Sequence, residues 1–369
     1  MSGLAARLDG WRTRMLVALA GGTRYLVWYY LLSVLCLAWP ATAQAPWTGP
    51  GVGLPAALAV PVVGLTVSDM DRSLAFYTAV LPFRVVADTE VAGRRWEELT
   101  GVFGVRLRIV RLRLGEEELE LTEYLAASTP GRPAPVDARS HDRWFQHVAI
   151  VVSDMEKAYE QLRRHRVGQI SLEPQTIPET NVAAAGIMAL KFCDPDGHAL
   201  ELIWFPAGKG SERWRRPAGR LFRGIDHTAI SVSNTEQSLA FYRDLLGLTL
   251  GGATVNTGIV QERLDGVINP RVRVTAVMPE KSPPFVEFLH YEVPSDARPI
   301  PGDTTAVDLW HWQTSLVVDD IAAAAKALRA AGVRFVSSGV VDVPNKALGF
   351  ARAVMVTDPD GHAVRLVQR

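Results

Sequence analysis

Two histidines and two glutamates stand at matching places in a repeated pattern, and their chemistry sets the functional question. The pattern is a polar position, an apolar run, and then a small or acidic residue that opens a helix. It occurs at 60–69, 145–154, 225–234 and 311–320. Seven residues before each helix opener the chain carries Val62, His147, His227 and Gln313 in turn. The strand that closes each repeat has its own recurrent position, held by Glu120, Glu201, Glu287 and Arg365. In an alternating strand the apolar neighbours, such as Leu200 and Leu202, point to the opposite face. A carboxylate turned into a concave sheet beside an imidazole from another strand is costly without a partner. A divalent metal satisfies both. A lone strand histidine is usually a core residue; two at matching positions, each with a matching glutamate, point to a site.

The elements that must position these side chains come from an internal duplication. Residues 73–77 (SLAFY) recur at 238–242, and residues 194–198 (DPDGH) recur at 358–362, at nearly one offset. The chain thus contains two related halves, 60–206 and 224–369, joined by a linker over 207–223. Inside each half the strand-then-helix opening occurs twice. This gives four units, 60–124, 143–206, 224–291 and 309–369, each read as βαβββ. The spacing predicts helices over 69–81, 154–165, 235–246 and 320–331, the last rich in alanine. The run 105–114 (VRLRIVRLRL) alternates apart from one slip at Ile109 and Val110, which predicts a strand with one solvated face. The DPDG turns read as hairpin turns placing the last strand, with Gly taking the positive φ. His198 and His362, which follow their glycines, read as exposed. The segments 126–139 and 294–304 read as soft boundaries.

Composition narrows the partners. With 48% hydrophobic and 21% charged residues the chain is globular, and 39 Lys+Arg against 39 Asp+Glu give nothing that would attract a nucleic acid. A small-molecule substrate and a monomer are the expectation. Only Cys193 of the two cysteines lies in the folded body, so an internal disulfide is not available, and no basic group beside it suggests a nucleophile. Residues 1–24 carry four arginines against one acid, followed by an apolar run over 25–39, Pro40 and small residues. The run is shorter than the roughly 20 residues that span a bilayer. Residues 1–43 therefore read as a secretory signal peptide cleaved after Ala43, with an uncleaved anchor as the rival, and 44–59 as a flexible linker. The expected location is outside the cytoplasm, in a bacterial periplasm.

The βαβββ order, the first-strand histidines, the ending FCDPDGHALEL at 192–202 and the last-strand glutamates resemble the vicinal oxygen chelate superfamily. That group includes glyoxalase I, extradiol ring-cleaving dioxygenases, methylmalonyl-CoA epimerase and bleomycin-resistance proteins. The resemblance spans about 60–369. It implies an α+β fold in which two βαβββ modules form one cupped mixed sheet, here two sheets from four modules. It also implies a metal held inside by first-strand and last-strand residues.

Two pairings are open. Neighbouring units would give one cup with Val62, Glu120, His147 and Glu201, and another with His227, Glu287, Gln313 and Arg365. Pairing unit 2 with 3 and unit 1 with 4 would give an inner cup with His147, Glu201, His227 and Glu287, resembling the full glyoxalase I ligand set. The outer cup would hold Val62, Glu120, Gln313 and Arg365, the arginine standing in for the metal. One complete and one lapsed site is the more economical account. The resemblance then implies one divalent ion (Ni, Zn, Fe, Mn or Co) that binds a substrate with adjacent oxygens and stabilises an enediolate, with Glu201 or Glu287 as base. The expected activity is a glyoxalase-like lyase or isomerase. The alternatives are an extradiol-type dioxygenase, whose usual ligands in units 3 and 4 are here replaced at Gln313 and Arg365, and a binding protein without catalysis.

Overall fold

The computed structural model describes residues 57–216 and 219–369. The leader expectation for 1–43, with Cys36, lies outside the described residues, as does most of 44–59. No helix among the described residues is long and apolar enough to cross a membrane.

Unit 1 contains β1 (Val62–Val67), α1 (Met70–Ala79), β2 (Arg84–Ala92), α2 (Arg94–Thr100), β3 (Arg106–Leu114) and β4 (Glu117–Ala126). Unit 2 contains β5 (Gln146–Val152), α3 (Met155–Arg164), β6 (Gln175–Thr176), β7 (Met188–Cys193) and β8 (Ala199–Trp204). Unit 3 contains β9 (Phe222–Ser231), α4 (Thr235–Leu239, continued as a wider π turn), β10 (Thr249–Thr257), α5 (Gly258–Asp265), β11 (Arg271–Met278) and β12 (Phe285–Val293). Unit 4 contains β13 (Trp312–Val317), α6 (Ile321–Ala330), β14 (Val341–Asp342), β15 (Arg352–Thr357) and β16 (Ala363–Gln368). The βαβββ expectation needs two corrections. Units 1 and 3 insert a short helix after their second strand, and in units 2 and 4 that strand shrinks to two residues.

Each long helix starts where a short polar side chain can take the first free N–H groups. Asp69 accepts from Arg72 N, Asp154 from Lys157 N, Asn234 from Gln237 N and Asp320 from Ala323 N. Each such cap contributes about 1 kcal/mol.

The strands form two eight-stranded sheets, ordered β14-β15-β16-β13-β1-β4-β3-β2 and β10-β11-β12-β9-β5-β8-β7-β6. The pairing is therefore unit 1 with 4 and unit 2 with 3. β5 and β9 run antiparallel, with His147 opposite Ala229 and Ala149 opposite His227. The two sequence halves are not the two sheets, because each half gives one unit to each. The largest apolar cluster takes Leu65, Tyr77, Ile150, Ile230, Tyr242 and Leu316 from both sheets and their helices. Each fully buried side chain of this kind contributes about 1.5–3 kcal/mol. Smaller clusters fill the cups, with Trp96, Ile109 and Met355 in the outer one and Phe145, Val272 and Tyr291 in the inner one.

Three further expectations differ from the structure. The β3 run is less solvated than its alternation suggests, because Arg111 is buried and paired with Glu118 at 2.7 Å. The segments 126–139 and 294–304 are pinned. Arg132 Nε donates to Asp308 at 2.8 Å and Arg298 Nε donates to Asp142 at 2.9 Å, and the two guanidinium groups lie over Trp310 and Trp144. His198 and His362 are buried, not exposed. The DPDGH turns do place the last strands, with Gly197 at φ +89 and Gly361 at φ +100. Their histidines turn inward to Asp194 and Asp358 and bond the carbonyls of Leu309 and Arg143, in the turns that lead into strands of the other sheet.

Candidate metal centre

His147 and Glu201 enter the inner cup from parallel strands of unit 2, His227 and Glu287 from parallel strands of unit 3. In each unit the glutamate lies two positions along from the histidine's register partner: His147 pairs with Ala199, and His227 with Phe285. The antiparallel β5–β9 seam brings the two sets together. His147 Nε2 lies 3.2 Å from Glu201 Oε2, and His227 Nε2 lies 3.5 Å from Glu287 Oε2. The two imidazole rings are 5.6 Å apart. One donor atom each from His147, Glu201 and His227 falls within a 4.8 Å span. Side-chain exposure is 2% for His147, 8% for Glu201, 5% for His227 and 21% for Glu287, so the last marks the open side.

The donor set fits a divalent cation. Both ring nitrogens of His147 are buried with no hydrogen-bond partner. Its approach to Glu201 is close yet not aligned as a hydrogen bond, as two groups aimed at a common third point would be. Burial, then the nearby Lys191 and His227, hold the His147 imidazole well below its usual range, which favours the neutral ring that a metal would need. Burial pushes the Glu201 carboxyl up to about 7, against the pull of Lys191 and His227. His227 goes the other way: despite burial, Glu287 and Asp226 raise it to about 9. The surplus of carboxylate charge that pulls a proton onto His227 would equally pull a metal cation. Nitrogen and oxygen donors of this kind suit Zn, Ni, Co, Fe or Mn.

A supporting shell was missed in the sequence. Asp226 Oδ2 lies 3.0 Å from His227 Nδ1, which fixes the ring with Nε2 toward Glu287, and Trp214 Nε1 donates to Asp226 Oδ1 at 2.6 Å. Such carboxylate partners orient metal-binding histidines. Asp226 sits directly before its histidine and gave a signal. Trp214 lies in the joining segment 207–223, and nothing in its spacing marks it. Lys191, opposite Glu201 across β7 and β8, is a charged residue inside the apolar run ALKFC and could have been flagged.

The outer cup carries the remaining candidates. Glu120 is fully buried; its Oε1 accepts from Arg365 Nη1 at 2.7 Å and from Gln313 Nε2 at 3.0 Å, while Arg111 Nη1 lies 3.4 Å from its Oε2. The two arginines hold the Glu120 carboxyl below its usual range although burial pushes it up. Gln313 needs Gly64 across the seam, because a Cβ there would meet its Cγ at 2.6 Å. Val62 supplies no ligand. Cys193 is set apart, its thiol pushed up to about 11 by burial, and His290 bonds Thr235.

Two cups of βαβββ units, one with converging imidazoles and carboxylates, define the class. The family model of the Glyoxalase/Bleomycin resistance protein/Dioxygenase superfamily matches residues 59–202 and 224–366, and the chain belongs to that superfamily. It is 37% identical over 168 residues to a 2-epi-5-epi-valiolone epimerase from an Actinomyces species, a match that covers 44% of this chain and 88% of that protein. It is 31% identical over 108 residues to glyoxalase I of Saccharomyces cerevisiae, covering 29% of each chain. In fold it is similar to glyoxalase I from Zea mays, with a TM-score of 0.54 at 16% identity over 84% of this chain and 92% of that one. These relatives support an enzyme of isomerase or lyase type.

Proposed function

We propose that the inner cup is the active site of a metal-dependent isomerase, acting as an epimerase on a small neutral substrate with a carbonyl and an adjacent hydroxyl. The observation that carries the reading is the convergence of His147, Glu201 and His227 in one cup, with Glu287 3.5 Å from His227 and both nitrogens of His147 unpartnered. The four side chains would hold one divalent ion. Held there, a divalent ion would supply Lewis-acid chemistry, offsetting the negative charge that develops on the substrate carbonyl oxygen.

The residues divide the remaining work. Glu201, whose carboxyl titrates near neutrality in its buried place, takes the proton from the carbon next to the carbonyl. Glu287 comes from the neighbouring unit at the open side of the cup and passes a proton taken from solvent to the opposite face, which inverts the centre, while Glu201 later releases its proton to solvent. Asp226 and Trp214 keep His227 oriented. Burial of His147, Glu201 and His227 limits bulk water at that end of the cup. The epimerase relative is matched over most of its length and the yeast glyoxalase I over less than a third, which favours epimerisation over thioester formation. Units 3 and 4 lie in different sheets, so His227 shares no cup with Gln313 or Arg365, and a site built from units 3 and 4, as the extradiol reading expects, is not assembled. Export of the chain stays a proposal resting on residues 1–43 alone.

The test is solvent exchange. Metal-loaded protein is incubated with 2-epi-5-epi-valiolone in deuterated water and followed by proton NMR. Loss of the proton next to the carbonyl together with appearance of a second epimer supports the reading. An unchanged spectrum with fully metal-loaded protein would sink it.

A further inference from the structure

The two cups descend from one design, and their differences separate what the working site needs from what the fold needs. The outer cup has lost the metal-type set at Val62, Gln313 and Arg365. Two other positions changed with it. Lys191 lies opposite Glu201 in the inner sheet, and the matching place opposite Arg365 holds Met355. Asp265 ends α5 before a left-handed Gly266; at the matching place Thr100 ends α2 before a left-handed Gly101. The tyrosine four residues beyond Glu287 is matched by one four residues beyond Glu120, as Tyr291 and Tyr124. Thr100, Tyr124 and Met355 line the outer cavity together with Glu120 and Arg365, so the matching places do face a cup.

The pair in the inner cup is built tightly. Lys191 Nζ lies 2.6 Å from Asp265 Oδ1, and both side chains are buried, at 3% and 0% exposure. Asp265 Oδ2 accepts from Tyr291 at 2.8 Å and from Gln261 at 2.6 Å, so both of its oxygens are used. The ammonium is not used up. It has three donors, and among the described residues its one hydrogen-bond partner is Asp265, while the Phe145 ring lies 5.6 Å from Nζ on the cup side. Cross-strand partners stand about 5 Å apart at Cβ and share a face, so Lys191 and Glu201 leave the sheet on the same side. A buried ion pair is weak evidence of stability, and the outer cup folds with Met and Thr in its place.

We propose that Lys191, clamped by Asp265, is a catalytic residue of the inner cup whose two open ammonium donors take an oxygen of the bound substrate. The inference rests on the reading of that cup as the active site. The pair carries no net charge, so it suits a hydroxyl or carbonyl oxygen that gains charge only during the reaction, and not a fixed dianion such as a phosphate. Gln261 also lines a groove with Asn181, Thr254 and Asn256, and that groove has no charged side chain, in keeping with a neutral, oxygen-rich ligand.

The test exchanges the pair for the residues of the outer cup. K191M alone would leave Asp265 buried without its cation, so the variant to use is the full chain with K191M and D265T together. Wild type and variant are loaded with cobalt. Metal content, thermal unfolding, the dissociation constant of acetohydroxamate (a small chelator with adjacent oxygens) and exchange of 2-epi-5-epi-valiolone are then measured. The expected result is a folded variant with the wild-type metal content, acetohydroxamate bound about tenfold or more weakly, and a kcat for exchange lower by about a hundredfold. Equal probe affinity at equal metal content overturns the role of Lys191 whether or not the substrate is turned over. Absent exchange with a clear affinity difference overturns the epimerase reading and leaves Lys191 as a ligand-contacting residue. A wild-type chain that takes up no metal removes both.

Discussion

The hydroxyl of Tyr77 donates to Asp194 at 3.1 Å, so the two conspicuous repeats of this sequence hold each other. Tyr77 closes the first SLAFY segment in unit 1, and Asp194 opens the first DPDGH turn in unit 2. The second copies do the same, Tyr242 donating to Asp358 at 3.2 Å. Units 1 and 2 lie in different sheets, as do units 3 and 4, so each bond ties a strand turn of one sheet to a helix of the other. From Asp194 the contact passes through His198 to the Leu309 carbonyl at 2.7 Å. Replacing Tyr77 by Phe removes one buried bond to a charged acceptor and costs about 1.5–3 kcal/mol. Y242F costs a similar amount, and the double variant shows the sum, since the two bonds share no partner. Urea unfolding measures all three; a neutral Y77F would show that the repeat is kept for another reason.

The same fastener makes stability depend on pH. The ring nitrogens of His198 face only acceptors, Asp194 at 2.8 Å and the Leu309 carbonyl, so both carry protons. Asp194 is the main cause that raises its pKa against burial, and His198 in turn holds the Asp194 carboxyl below its usual range. The imidazolium's contribution is complete below the ordinary histidine value of about 6.5 and fades as pH rises through the raised folded value. The carboxylate's contribution is complete above the ordinary aspartate value of about 3.9 and fades as pH falls through the lowered folded value. His362 follows the same rule beside Asp358. The expected profile is greatest stability from about pH 4 to about 6.5, with a decline above. The H198Q variant should lose about 3 kcal/mol near pH 6 and show a shallower alkaline decline. An alkaline limb as steep as wild type would contradict the assignment.

Arg365 should be structural. Removing it leaves Glu120 fully buried with only Arg111 and Gln313 to balance it. R365M should cost about 3–5 kcal/mol, and adding E120Q should recover most of that, because the buried charge goes with its partner. Metal content should not change in either variant. Chemical denaturation with metal analysis checks both, and a metal loss in R365M would point back to the outer cup.

Glu201 should carry the proton. E201Q keeps the size of the side chain and should lower solvent exchange by about 100-fold or more. E201D, which keeps the acid but withdraws it, should fall between the two. Deuterium exchange at saturating substrate measures this, and an E201Q rate near wild type would move the base elsewhere.

Much of the fold was legible because it repeats. One strand-and-helix opening seen four times fixed the units, and the cap residues Asp69, Asp154, Asn234 and Asp320 fixed the helix starts. The short helices α2 and α5 were not legible, being about two turns long and lying in stretches to which no element was assigned. Pairing of the units is a long-range choice, and the argument from one complete and one lapsed ligand set anticipated it. Burial of His198 and His362 was missed because a turn glycine before a histidine suggests solvent, while the carbonyls of Leu309 and Arg143 that hold the far side of each ring come from distant segments. Lys191 and Asp265 were missed for the same reason: they are far apart in sequence and meet only when α5 closes over β7.

The account stands or falls on the inner cup, and metal content of purified protein tests it most directly. Wild type, H227A and Q313A are loaded with a divalent metal, freed of excess and analysed. The account predicts about one ion per chain in wild type and Q313A and little in H227A. Metal lost in Q313A as well, or no metal in wild type under any loading condition, would contradict it.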